Sequence, residues 1–188
     1  MTIPTKRVLT LVLTLALVLG SVHEAQSQVR RGREPEPAQG WTPPSIGIRG
    51  GWDQRANAEI LGAQARIPVL RSGIVQLVPS ADIAFLQGVK EYQYGAEVSW
   101  VPGGRRGGLF VTGGVAWRDS VFSADGSTDT RRTFFGYILG AGVKSQVGPL
   151  EFELGLRWIF LNDTGYRPSP ATVGINYPFW DTGLPEGR

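Results

Sequence analysis

At 188 residues the chain has room for one domain with a core of its own, and its 26 glycines stand against only three lysines, Lys6, Lys90 and Lys144. That composition favours turns and strands over long surface helices. The formal charge of +3 comes from arginines scattered without a basic stripe, which argues against a nucleic-acid surface, and the lack of cysteine excludes disulfides and a lipid-modified cysteine anchor.

Lys6 and Arg7 precede an apolar run, Val8 to Leu19, and the small residues of Ala25-Gln26-Ser27 follow it. This is the layout of a cleaved secretory signal peptide over residues 1–27, with the cut expected before Gln28. The apolar run is short for a membrane span. Residues 28–44, QVRRGREPEPAQGWTPP, carry four prolines and no hydrophobic period, so a flexible leader is expected there.

From Ser45 onward the chain breaks into eight segments of period two, each bounded by turn residues. They cover 45–52, 58–69, 74–85, 92–101, 109–118, 133–145, 150–160 and 171–180. One face is apolar: Ile46 and Ile48 in the first segment, Leu61, Ala63, Ala65 and Ile67 in the second, Leu154, Leu156, Trp158 and Phe160 in the seventh. The other holds Arg49, Gln64, Arg66, Asp82, Glu97, Thr112, Lys144, Glu151, Glu153, Arg157 and Asn176, padded by glycines in the same phase. Only Glu59, at a strand end, breaks the rule. A polar face rich in glycine and poor in lysine suits a crowded interior, so the apolar face is expected to point outward. Pro79 falls in mid-strand, where it removes a ladder donor, and a β-bulge is the expected accommodation.

If the segments run up and down, Trp52, Phe85, Tyr92, Tyr94, Trp117, Phe135, Tyr137, Trp158 and Phe160 gather at one rim, and Trp100, Tyr177 and Phe179 at the other. Two aromatic girdles around an aliphatic band are what a lipid-facing surface requires. The connections LRSG, PGGRRG and QVGP are short and share one end, while the long ones, DSVFSADGSTDTR and LNDTGYRPSP, share the other. That asymmetry separates the periplasmic from the extracellular end of an outer-membrane barrel.

These features resemble the small eight-stranded outer-membrane barrels, the family of the OmpA transmembrane domain, OmpX and the opacity proteins. The resemblance implies an all-β, antiparallel, up-and-down transmembrane barrel over residues 45–180, with a polar tail at 181–188. Its most specific part is the last strand, TVGINYPF, where Thr172, Gly174, Tyr177 and Phe179 match in register the family's signal to the insertion machinery. Family members usually stop at the final aromatic, whereas this chain continues through Trp180 and eight more residues. The implied location is the outer membrane of a Gram-negative-type bacterium. The implied partners are its lipid and lipopolysaccharide, the insertion machinery, and host or neighbouring surface proteins, with the barrel itself a monomer.

An eight-stranded barrel is just wide enough for side chains to fill. Arg49, Arg66, Lys144 and Arg157 balance Asp82, Glu97, Glu151 and Glu153, so a plugging salt-bridge network is expected, with Lys144 facing Glu151 across QVGP. Enzymes that resemble this architecture use a histidine, and the only one here, His23, lies in the expected signal peptide. No catalytic residue, cofactor or metal site is therefore expected. Function falls to the loops, above all Asp119, Phe122, Asp125, Asp129, Arg131 and Arg132. A structural or surface-interaction role follows, with a narrow solute pore or a soluble periplasmic ligand-binding barrel as alternatives.

Overall fold

The computed structural model describes residues 41–86, 89–104, 107–122, 130–162 and 167–179. The expected signal peptide, most of the leader, the C-terminal tail, and Asp125 and Asp129 lie outside the described residues. Eight strands follow one another: β1 Ser45–Asp53, β2 Ala58–Pro68, β3 Val75–Leu86, β4 Val89–Trp100, β5 Gly108–Phe122, β6 Thr130–Val147, β7 Leu150–Leu161 and β8 Pro170–Pro178. Each pairs antiparallel with the next, and β8 closes on β1. The fold class expected from the alternation is borne out.

Registers fix the stagger of the closure. Stepping from Asn176 across each ladder leads to Gly47, Gln64, Ser80, Gly95, Ala116, Gly136 and Leu161. Counted in the β7–β8 register, in which Leu156 meets Ala171, the path closes with a stagger of ten residues. Eight strands with a stagger of this size tilt by roughly 35–45° to the barrel axis.

Burial is inverted relative to a water-soluble domain. Leu109 is 72% exposed and Ile48 65%, whereas Arg49 is 2% and Glu97 0% exposed. Trp117, Phe135 and Tyr137 stack edge to face around one rim, with centroids 5.5 and 6.0 Å apart. So large an outward apolar surface with charge enclosed is the arrangement of a transmembrane barrel.

Three local expectations are corrected. The β5–β6 hairpin is longer than the alternation suggested, because Val121 and Phe122 continue β5 and pair with Arg131 and Thr130 of β6. Asp119, Phe122, Arg131 and Arg132 thus belong to strands, not to a loop. Asp119 is 5% exposed and accepts a 2.6 Å hydrogen bond from the hydroxyl of Thr133, its cross-strand partner, while Arg132 is exposed. At Pro79 there is no bulge. Pairing of β2 with β3 lapses between Gln64↔Ser80 and Ile67↔Leu77 and resumes in the same register, so the missing N–H costs ladder bonds without inserting a residue. Finally, Val147 pairs with Leu150, leaving Gly148 and Pro149 as a two-residue turn with Gly148 at φ 59°. Lys144 therefore stands opposite Glu153, with Glu151 its diagonal neighbour.

Candidate functional site in the barrel interior

Every second residue of each strand points into a bore about one side chain wide, so the inward charges must find partners among themselves. At the end nearest the β6–β7 turn, Lys144 Nζ donates to Glu151 Oε2 at 2.6 Å. Arg66 lies 3.3 Å from Glu151 Oε1 and forms a close pair with Glu153. Its Nη1 also donates to Gln76 at 2.8 Å, and its guanidinium lies over the Phe110 ring at 5.5 Å. Asn176 donates to Glu153 at 3.3 Å and accepts from Gln64 at 2.9 Å.

In the middle of the bore, Arg49 grips Asp82 through Nε, at 2.7 Å, and through Nη2, and donates to Gln64 at 3.0 Å. Arg157 Nε lies 3.1 and 3.2 Å from the two oxygens of Glu97, and its Nη1 donates to Thr172 at 3.0 Å. Thr112 also donates to Glu97, at 3.1 Å. Longer contacts, Arg157 to Glu153 at 4.0 Å and Arg49 to Glu97 at 3.9 Å, link the pairs. The structure thus brings all eight charged residues expected in the interior into one chain, running Lys144, Glu151, Arg66, Glu153, Arg157, Glu97, Arg49, Asp82.

Glycines make room for it. A Cβ on Gly62 would collide with the Asp82 carboxylate and the Ala81 carbonyl, and one on Gly142 with the Leu154 carbonyl and the Phe110 ring. Of the last-strand residues, Thr172 and Gly174 face this interior, the latter beside Glu153, while Tyr177 and Phe179 are exposed outside.

Sequence reasoning missed the upper part of the bore. Arg118 pairs closely with Glu91 and lies 3.4 Å from Gln93, and Ser120 donates to Glu91 at 2.9 Å. Gln93 and Arg118 lie within the expected segments 92–101 and 109–118, and Glu91 and Ser120 continue the same inward phase beyond them, because β4 starts at Val89 and β5 runs to Phe122. A hydrophobic cluster of Ala116, Ile138, Ile159 and Leu161, with Phe134 against it, is buried on the inward side of β5, β6 and β7. Ile138 shares its phase with Gly136 and Gly140, and Ile159 with Arg157, which is the signal that strict counting would have caught. At the mouth, Asp53 is fully buried, and its Oδ1 accepts backbone N–H groups of Arg55, Ala56 and Ser169 at 3.0, 3.2 and 3.2 Å. That carboxylate ties the β1–β2 turn to the segment entering β8.

Chemically the interior holds matched ion pairs and a cavity of about 10 Å³ between the lower chain and the Arg118 cluster. Among the described residues no three His, Cys, Asp or Glu side chains are placed to hold a metal ion.

No protein-family model matches the chain, and no curated protein does. Solved structures do. The N-terminal β-barrel domain of Pseudomonas aeruginosa OprF superposes with a TM-score of 0.58 at 17% identity, over 73% of this chain and 99% of that one. Neisserial surface protein A (NspA) gives 0.56 at 14%, over 72% and 94%. At such identities the likeness is one of fold, and the fold this chain shares with both is the eight-stranded barrel of the outer-membrane kind.

Proposed function

We propose that the protein is a non-enzymatic integral barrel of a Gram-negative-type outer membrane, delivered by a cleaved signal peptide, with a side-chain-plugged interior and a structural or surface-interaction role at its extracellular end. The observation that carries this reading is the inverted burial: an apolar outer band around a chain of paired charges. A bore occupied by matched pairs leaves no single-sign ring to select a solute, and carboxylates held by arginines are poor general bases.

The β5–β6 hairpin supports an outward role. It pairs out to Phe122↔Thr130, whereas β6 first meets β7 at Gly136↔Leu161, so six residues of β6 extend past that ladder. Arg55, Lys90 and Arg167 are exposed at the same end, where phosphorylated headgroups such as those of lipopolysaccharide would meet them. Thr172, Gly174, Tyr177 and Phe179 serve as the insertion signal in this reading, and the barrel works as a monomer.

Three measurements test the proposal. Purified protein in detergent should migrate faster unheated than boiled, and it should remain with the membrane after carbonate washing. In planar bilayers it should give no steady openings. Resolved, steady single-channel steps would replace the plugged reading with a pore, and release into the aqueous phase would overturn the membrane assignment.

A further inference from the structure

Residues of the lower ion-pair chain and of the upper Arg118 cluster line one small space in the bore. This is the 10 Å³ cavity, and Arg49, Asp53, Asp82, Ala84, Gln93, Arg118, Arg157 and Thr172 are among the residues that line it. About 10–15 Å³ of such space is what one water molecule needs, together with two to four polar partners. We infer that this cavity is a binding site for a single structural water, which joins the two charge clusters into one hydrogen-bonded column through the barrel.

The lining supplies both kinds of partner. Guanidinium N–H groups of Arg118 and Arg157 can donate to the water oxygen, while Asp82, Asp53 and the Gln93 and Thr172 side-chain oxygens can accept its protons. Three arginines alone would suit an anion. Two carboxylates share the same walls, however, so the site favours a neutral molecule that donates and accepts.

The test uses the full barrel refolded in detergent. A high-resolution crystal structure should show one density peak within hydrogen-bond distance of at least two of Asp82, Gln93, Arg118 and Thr172, and oxygen-17 relaxation dispersion should count a long-lived internal water. Ala84→Val, which adds two methyl groups to the wall, should remove the peak and lower that count by one. Wild-type density without a peak would overturn the inference, and so would an anomalous peak at the site after chloride is exchanged for bromide. The wild-type density and the bromide exchange decide the matter if the variant does not refold. If it does refold, an unchanged water count would also overturn it.

Discussion

At the scale of single residues, the cost of a change depends on which side of the wall it falls. Leu139 is exposed on the outer face, and an arginine there meets hydrocarbon, at roughly 2–4 kcal/mol near the midplane. Leu139→Arg and Leu154→Arg should therefore sharply lower folding yield into lipid vesicles, read by heat-modifiable mobility. Arg49→Leu fails for a different reason. It strands Asp82, whose two oxygens both face Arg49, and breaking a buried pair by removing one partner costs about 3–5 kcal/mol. Replacing both, Arg49→Leu with Asp82→Leu, should recover most of that loss in urea titrations monitored by tryptophan fluorescence. If the double variant is no more stable than Arg49→Leu alone, the pair is not the source of the cost. The phase of each charge was legible in the alternation, because a one-residue slip would turn it into lipid. Its partner was not. Lys144 pairs with Glu151 only diagonally, since Gly148 and Pro149 make the turn, and the choice of turn residues lies below the resolution of a period-two pattern.

At the scale of elements, the β2–β3 seam is the interrupted ladder of the closure, because Pro79 withholds a donor where the pairing lapses. Pro79→Val should restore it. Amide exchange at Ala65 and Arg66 should slow, and stability should rise by up to about 1 kcal/mol, the net worth of one hydrogen bond, less what proline contributes by restricting the unfolded chain. Faster exchange in the variant would show that the lapse has another cause. Tight packing sets the opposite expectation for Gly62→Ala: the added methyl meets the Asp82 carboxylate and the Ala81 carbonyl, and the overlap should cost about 1–3 kcal/mol in the same titration. Strand existence and order were readable from turn residues and alternation. Strand ends were not, because above the girdle neither face is held to one polarity, so Asp119 and Arg132 gave no sign that β5 and β6 continue through them.

For the whole molecule, closure and display are separable. Every strand finds both neighbours in the band between the girdles, and the stagger of ten residues closes the ladder there without the outer part of the β5–β6 hairpin. The interior column ends at Arg118, Glu91 and Ser120, which lie below that outer part. Joining Ser120 to Arg132 by Asn-Gly, at the point where the two already pair, should therefore give a barrel that still shifts on heating, with stability within about 1 kcal/mol of the parent. Binding to cells, to neighbouring surface proteins or to lipopolysaccharide-containing vesicles should fall in the same variant if the hairpin is the contact surface. A shortened barrel that refolds and keeps all such binding would move the functional surface to the β1–β2 and β7–β8 connections, where the buried carboxylate of Asp53 ties the turn at Arg55 to Ser169.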